Sequence, residues 1–245
     1  ALSGLGSIDV QKGNYQAAHE NFEKCLRIVQ QIGDQEIEAS TQYQLAMIDL
    51  RKGDYHAARK KFEKTIKISQ KIGVQSLESD CWLSLATIDS KQGYYEAAQK
   101  KFDKSMTIKH QIGDWIGEAV IWHDLASNDL RKGEYKAAHK NFEKSLKITQ
   151  RIGNREGEAA TFHQLGILSG DIGRIQEGLR LVAISFLINN SIRHEKAQLS
   201  FKNLSAMASQ LKYTQESFDA MLKEVTESYA RDRGWSLIRA AFPES

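Results

Sequence analysis

The stretch Leu45–Ile68 reads LAMIDLRKGDYHAARKKFEKTIKI, and it decides the fold because it recurs along the chain. When residues 41–80 are shifted onto residues 121–160, about half of the positions are identical, which indicates an internal repeat. Glycines mark this repeat at a constant step of 40 residues. They form two series, which are Gly13, Gly53, Gly93, Gly133 and Gly173, and Gly33, Gly73, Gly113 and Gly153.

Each repeat contains two amphipathic helical patterns. In the second pattern Tyr55, Ala58 and Phe62 follow one another at the spacing of a single helix face. A glycine, such as Gly53 or Gly73, follows each pattern after a basic last turn, which is typical of a helix C-cap. Each unit is therefore predicted to be a hairpin of two helices. One hairpin cannot bury its apolar stripe alone, so we expect neighbouring hairpins to stack.

The repeated stretch resembles a tetratricopeptide repeat. The matching residues are Leu45 and Ala46 for the family's Leu-Gly pair, Gly53, Asp54 and Tyr55 for its turn, and Ala58, Phe62 and Ile66 for its second-helix core. The step of 40 residues is similar to a subclass found in bacterial and archaeal arrays, including those attached to STAND-type signalling ATPases. The resemblance implies an all-α, right-handed α-solenoid of about five helical hairpins, closed by a degenerate C-terminal capping hairpin.

The predicted array spans residues 1–190, with a truncated first helix and repeats at 1–33, 34–73, 74–113, 114–153 and 154–190. Residues 174–190 are apolar nearly all round, so later helices must cover them. Residues 191–245 are expected to supply this cover as a degenerate hairpin and C-terminal cap, with helices at Ile192–Leu211 and Gln215–Arg231. Thr214 is the predicted N-cap of the second. Because the sequence starts in the middle of a helical pattern, we expect it to be a fragment.

The composition argues against several classes of partner. Lys and Arg total 34 against 31 for Asp and Glu, so the net charge of +3 does not favour nucleic acid or an anionic membrane. No apolar run approaches the roughly 20 residues that a membrane-spanning helix needs. Cys25 and Cys81 lie inside helical patterns and are predicted to be free thiols, which favours a cytoplasmic location.

Motifs for catalysis, cofactors and metals are absent from the sequence. It contains no phosphate loop, no H-E-x-x-H and no C-x-x-C, so we expect that the chain is not an enzyme and needs no cofactor. His123 and His163 occupy equivalent positions in consecutive first helices. Without a third ligand nearby they indicate residues that line a groove rather than a metal site.

Where the tetratricopeptide family has an aromatic residue late in the first helix, this sequence has aspartate. The four positions are Asp9, Asp49, Asp89 and Asp129. One interpretation is an acidic stripe that reads a basic partner. The other is structural, with each carboxylate pairing with a nearby lysine or arginine, such as Lys12, Lys52 and Lys132 at i+3, or accepting a hydrogen bond from the next helix's N-terminus. The structural interpretation is favoured, because a repeated residue is first a packing solution.

The second helices carry rows of basic residues. These rows include Lys60, Lys100 and Lys140, and Lys64, Lys104 and Lys144. Glutamate precedes a basic residue by four positions at Glu63 and Glu143, which is the favourable order for ion pairs on a helix. No aromatic residues interleave with these lysines as stacking platforms for bases. The rows therefore indicate a solvated outer face rather than a surface for nucleic acid.

The resemblance to tetratricopeptide repeats implies recognition of a protein or peptide in a concave groove lined by first helices. The matching positions are Tyr43, Met47, Leu50, Arg51, Leu83, Thr87, Ser90, Lys91, His123, Ser127, Leu130, Arg131, His163, Ile167 and Asp171. Arg51, Lys91 and Arg131 recur at the step of 40 and predict a partner with acidic character. Two alternatives stay open. The array is the sensor region of a larger STAND-type ATPase or effector, with other domains of the same chain as partners, or it is a structural spacer or self-association module.

Overall fold

The computed structural model describes residues 2–195 and 197–243, apart from the side chains at 199 and 203. These residues form thirteen α-helices and no strand, which confirms the predicted all-α class of consecutive hairpins. The helices are α1 Leu2–Gln11, α2 Tyr15–Ile32, α3 Gln35–Lys52, α4 Tyr55–Ile72, α5 Gln75–Lys91, α6 Tyr95–Gln111, α7 Trp115–Lys132, α8 Tyr135–Ile152, α9 Arg155–Asp171, α10 Ile175–Ser191, α11 Ala197–Gln210, α12 Gln215–Asp232 and α13 Trp235–Ala241.

The chain divides into two compact units between Asp114 and Trp115. Unit 1 contains α1–α6 and unit 2 contains α7–α13. This division falls within one residue of the predicted boundary between the third and fourth repeats. The hairpins α1–α2, α3–α4 and α5–α6 of unit 1, and α7–α8 and α9–α10 of unit 2, pack in sequence against one another within their unit. Helices α11, α12 and α13 all pack against α10.

Helix ends follow the local chemistry that the glycine series predicts. Gly53 ends α3 in the left-handed conformation, with φ of 80°, and its N–H donates to the carbonyl oxygens of Asp49 and Leu50. A side chain at this φ would be strained, which explains glycine here. Asp54 then begins α4, because its carboxylate accepts a hydrogen bond of 3.0 Å from the backbone N–H of Ala57. Two successive residues thus end one helix and start the next.

Small residues allow the two helices of each hairpin to approach closely. Ala46 and Ala58 are fully buried in unit 1, beside Phe62, which fills the adjacent space. In the α9–α10 hairpin the equivalent positions are Gly166 and Gly178. A Cβ atom built on Gly178 would lie 2.5 Å from the carbonyl oxygen of Gly166, so the two backbones are closer here than any side chain allows.

The aspartates recurring at the step of 40 bind the second helix of their own hairpin. Their partners lie twelve residues later: Asp9 accepts from Asn21, Asp49 from Lys61 at 2.6 Å, Asp89 from Lys101, and Asp129 from Asn141 at 2.8 Å. Asp49, Asp89 and Asp129 are buried, and Asp89 is only 3% exposed. The acidic-stripe interpretation is therefore wrong for these three residues. The structural interpretation holds for them. Asp49 pairs with Lys61 of the adjacent helix and not with Lys52 at i+3, whereas Lys132 at i+3 does interact with Asp129 through its charge.

The C-terminal helices cover α10 as predicted. Phe218, Val225 and Ile238 belong to the same buried cluster as Leu181 and Ile184 of α10. Thr214 caps α12, since its hydroxyl oxygen accepts a 3.2 Å hydrogen bond from the N–H of Ser217.

Of the two predicted C-terminal helices, the one expected at Ile192–Leu211 begins later, at Ala197. The prediction is wrong there because α10 continues to Ser191 and is followed by a turn with Arg193 at φ of 51°. Residues 196, 244 and 245 of the predicted cap lie outside the described residues.

Glu158 of α9 holds α12 and the turn that follows it. Its carboxylate is fully buried, accepts hydrogen bonds from the Tyr229 hydroxyl at 2.7 Å and the Arg233 guanidinium at 2.8 Å, and pairs with Arg155 at 2.7 Å. Burial, together with this hydrogen bond to Glu158, raises the pKa of Tyr229. A buried carboxylate with three charge-assisted or hydroxyl donors is a specific attachment point, because leaving it unpaired would be costly.

Candidate functional site

We call the side of α3 and α5 that carries the predicted groove residues the unit 1 face. It carries Tyr43 and Met47 of α3, and the Ser84 hydroxyl of α5 lies 3.9 Å from the Met47 sulfur. Tyr43 packs edge-on against Phe62, with ring centroids 5.7 Å apart. Burial of the Tyr43 phenol raises its pKa to about 12, so the ring presents a neutral hydroxyl.

Only part of the predicted groove set in unit 1 is accessible. Leu83, Thr87 and Lys91 are half-buried or exposed on α5, but Ser90 is only 2% exposed and cannot contact a ligand on this surface. Leu50 packs partly against the unit 1 core. Arg51 is exposed, and its guanidinium donates a 3.1 Å hydrogen bond to the Tyr15 hydroxyl.

The exposed sides of α7 and α9 form the equivalent surface of unit 2, which we call the unit 2 face. The His123 imidazole lies 3.4 Å from the Thr161 hydroxyl and packs edge-on against Phe142 at 5.3 Å. Burial lowers the pKa of His123 to about 4 and also lowers the pKa of His163. Both rings are therefore neutral at pH 7. Among the described residues no group of three or more His, Cys, Asp or Glu side chains could hold a metal ion.

The remaining predicted positions of the unit 2 face differ in exposure. Ser127 and Leu130 are half-buried, and Leu130 packs against the unit 2 core. Arg131 and Asp171 are exposed near the ends of α7 and α9. Ile167 is also exposed, at 39%. This surface thus combines neutral polar and apolar side chains with one charge of each sign toward the helix ends.

Sequence reasoning missed the apolar start of the unit 2 face. Ile116 is 59% exposed and Val120 is 42% exposed. They precede His123 by seven and three residues, so they lie on the same side of α7. This spacing could have found them, had the face been extended toward the helix N-terminus. Val120, His123, Ala160 and Thr161 line a cavity of about 120 Å³ between α7, α8 and α9.

The basic row formed by Lys64, Lys104 and Lys144 contacts residues of the first helices. The Lys64 ammonium lies 2.8 Å from the Glu38 carboxylate. The ammonium groups of Lys104 and Lys144 lie over the Trp82 and Trp122 rings, at 4.1 Å and 3.7 Å from the ring centroids. These indoles belong to the adjacent first helices, so they were not visible as aromatic residues interleaved with the lysines in sequence. These cation–π contacts occupy the lysines within each hairpin.

A family model for the tetratricopeptide repeat matches residues 1–71 and 78–151. The chain belongs to the tetratricopeptide-repeat family. The match ends at residue 151, whereas α9 and α10 continue the hairpin pattern with glycines in place of the alanines. This family builds non-catalytic scaffolds from stacked hairpins, and none of the described helices is long and apolar enough to cross a bilayer. No curated protein matches the sequence at a significant level.

Solved structures of three tetratricopeptide-repeat proteins are similar in fold. The Rap conjugation gene regulator of plasmid pLS20, in complex with the Phr* peptide, has a TM-score of 0.68 and 16% identity, covering 98% of this chain and 75% of its own. NprR in complex with its cognate peptide NprX has a TM-score of 0.64 and 16% identity, covering 100% and 65%. A STAND protein with a tetratricopeptide repeat sensor, from Pyrococcus horikoshii, has a TM-score of 0.69 and 18% identity, covering 98% and 37%. At these identities the likeness establishes the fold alone.

Proposed function

We propose that this chain is a scaffold that binds a peptide segment of another protein on its first-helix faces, with the unit 2 face as the main contact. The observation that carries the proposal is the row of exposed apolar side chains on that face. Ile116, Val120 and Ile167 are large, apolar and exposed, and Val120 also lines the cavity between α7, α8 and α9. Several exposed apolar side chains on one face, one of them at a cavity, favour an interaction site over a solvated surface.

The chemistry of the unit 2 face favours a peptide with an apolar anchor. A branched or aromatic side chain would enter the cavity beside Val120 and Ala160, where it loses contact with water. His123 is neutral at pH 7, so it adds a polar edge without a charge that would need a partner. Arg131 and Asp171 near the helix ends would act mainly on the rate of association, as charges at a rim do.

The acidic character predicted for the partner has weaker support. It rests on Arg51, Lys91 and Arg131, and Arg51 already donates a hydrogen bond to Tyr15. Lys91, the other cation of this row in unit 1, is exposed and makes no such hydrogen bond. We therefore propose that apolar contacts select the peptide and that an acidic flank contributes less.

The similar structures support a peptide as the ligand. Rap and NprR, by the descriptions of their structures, are complexes with peptides. The similarity to a STAND protein with a repeat sensor supports the alternative that this array receives a trigger for a larger signalling ATPase. In that alternative the same faces bind the trigger, so the test below applies to both roles.

The test is selection of peptides from a random phage-displayed library, followed by calorimetric titration with wild type and Val120→Glu. We expect the selected peptides to bind at least about tenfold more weakly to Val120→Glu, because the variant places a charge at a central apolar contact. Val120 is exposed, so the fold should change by no more than about 0.5 kcal/mol. The matched control is Ile32→Glu, an exposed isoleucine on α2, which should bind as wild type does.

Three outcomes would count against the proposal. Equal binding by Val120→Glu and wild type would move the site off the unit 2 face. Equal loss in Ile32→Glu would indicate a general effect of the added charge. A dimer of the free chain in sedimentation, dissociated by Val120→Glu, would assign the same face to self-association.

A further inference from the structure

A second cavity lies in unit 2, away from the first-helix face. It has a volume of about 370 Å³ and is formed where the start of α8, the turn between α9 and α10, and the end of α13 meet. Tyr135, Lys136, His139, Ile172, Arg174 and Phe242 line it. The volume falls in the range of small-molecule sites, and the lining combines apolar side chains with two cations.

Unit 1 explains why this space is open. At the equivalent junction the Arg59 guanidinium of α4 spans the gap and binds the Asp89 carboxylate at 2.5 Å and the Gln92 amide oxygen at 3.2 Å. The equivalent residues of unit 2 lie two repeats, or 80 positions, later in the chain. Arg59 therefore corresponds to His139, Asp89 to Ser169, and Gln92 to Ile172. In unit 2 the shorter imidazole of His139 therefore replaces the guanidinium that spans the gap in unit 1. The hydroxyl of Ser169 replaces the Asp89 carboxylate.

Neither replacement restores the lost ion pair. The Ser169 hydroxyl donates to the Arg174 carbonyl oxygen at 2.8 Å, so it serves the turn. His139 is 4% exposed and stacks on Phe242 with ring centroids 4.1 Å apart. Its Nε2 atom has no hydrogen-bond partner and lies 3.7 Å from the Glu143 carboxylate. Burial lowers the pKa of His139, so the ring adds no positive charge at pH 7.

The charge at this cavity therefore comes from Lys136 and Arg174. Arg174 is shared, because its guanidinium donates to the Ala240 carbonyl oxygen at 3.1 Å and lies 3.6 Å from Glu177. Lys136 is exposed at the rim, on the first turn of α8. An anion at this place would meet the Lys136 ammonium, while an attached apolar group would contact Tyr135, Ile172 and Phe242.

We propose that this cavity binds a small organic carboxylate with a compact apolar body. The carboxylate takes the role that Asp89 has at the equivalent junction of unit 1, with Lys136 as its cationic partner. The apolar body fills the space that the Arg59 side chain occupies there. The site shares no residue with the peptide-binding face, so either proposal can fail without the other.

Phenylacetate is the probe, and phenylacetamide, which has the same ring without the charge, is its control. Titration of the full chain is followed by the amide NMR signals of residues 135–139 and 172–174. We expect saturable shifts with phenylacetate at a Kd of about 1 mM. Lys136→Glu should weaken binding by about tenfold, as loss of a charged contact implies. Lys140→Glu, one turn further along the exposed side of α8, should leave the affinity unchanged.

A second variant is designed to close the cavity by introducing the ion pair found at the equivalent place in unit 1. His139→Arg combined with Ser169→Asp should abolish phenylacetate binding while the chain keeps its helical circular dichroism. If this double variant fails to fold, the comparison of Lys136→Glu with Lys140→Glu still decides. The proposal is overturned if phenylacetamide binds as well as phenylacetate, if both lysine variants behave alike, or if no saturable shift occurs near the cavity. Val120→Glu should bind phenylacetate as wild type does, which separates this test from that of the peptide site.

Discussion

Acidic residues at equivalent repeat positions have different hydrogen-bond and ion-pair partners in the two units. Glu78 of unit 1 accepts hydrogen bonds from the neutral groups of Gln70 at 2.7 Å and Trp82 at 3.2 Å. Glu158, two repeats later, accepts from the same kind of glutamine, Gln150, and also binds Arg155, Arg233 and Tyr229. The aspartates show the opposite trend, because Asp89 has two cations while Asp129 has the neutral Asn141.

Some contacts of a repeat position are the same in both units, and others depend on the helices that surround it. In both units the glutamate joins one hairpin to the next through the glutamine eight residues earlier. At the end of the array the same carboxylate collects guanidinium groups from α9 and the α12–α13 turn. Unit 1 thus forms ion pairs mostly within its hairpins, as between Lys61 and Asp49 and between Lys109 and Asp80. In unit 2 an ion-pair cluster forms around Glu158, where the C-terminal helices contact α9.

Substitution of the two glutamates should give the largest difference between the units. Glu158→Gln is expected to lower the free energy of unfolding by about 3 kcal/mol, because it removes the charge of a fully buried carboxylate that pairs with two partly exposed arginines. Glu78→Gln should cost only about 1 kcal/mol, the value of an ordinary hydrogen bond. Urea unfolding followed by circular dichroism measures both. Equal costs would contradict the special role of Glu158.

The close backbone contact in the α9–α10 hairpin should give a smaller effect. Gly178→Ala is expected to cost about 2 kcal/mol, because its Cβ would overlap the Gly166 carbonyl and the backbones would have to separate. The reverse change at the equivalent place in unit 1, Ala98→Gly, should cost about 1 kcal/mol through backbone entropy and a small lost contact. Thermal unfolding compares the two. A Gly178→Ala variant as stable as wild type would show that this hairpin has room to adjust.

The aspartates should give the smallest change and one that depends on pH. Burial raises the pKa of Asp129, so ionisation costs the folded state more than the unfolded state, and its contribution to stability falls as pH rises through the pKa. Asp129→Asn should therefore be as stable as wild type at about pH 3 and slightly more stable at pH 7. Asp89→Asn should instead be less stable at pH 7, since Arg59 and Lys101 lose their partner. Urea midpoints at both pH values test the pair; parallel behaviour of the two variants would refute the contrast.

The hairpins were predictable from sequence because their determinants are local. Gly53 and Asp54 act on adjacent residues, and the apolar spacing around Phe62 reports one helix face. The partner of Asp49 was not predictable in this way. Lys61 lies twelve residues away on the next helix, and only the packing of α3 on α4 brings the two charges together. The late start of α11 was missed for a related reason, because the turn at Arg193 has no glycine or proline to mark it.

The candidate sites depend still more on packing. Position in the repeat correctly indicated exposed residues such as Lys91 and Ile167, but Ser90 is buried by its neighbours. The cavity at His139 is open because His139 and Ser169, on different helices, do not form the ion pair that Arg59 and Asp89 form in unit 1. A single sequence contains that information only if each repeat is compared, position by position, with the others and the junctions between helices are known.

The contact between Lys104 and Trp82 has a practical consequence for spectroscopy. Of the four tryptophans, Trp82 is in unit 1, while Trp115, Trp122 and Trp235 are in unit 2. An indole beneath an ammonium group changes its surroundings when the hairpin opens, because the cation moves away from the ring. Replacing the three indoles of unit 2 by phenylalanine would leave one intrinsic fluorophore. Its emission would follow the unfolding of unit 1 alone, in the intact chain and without an added label.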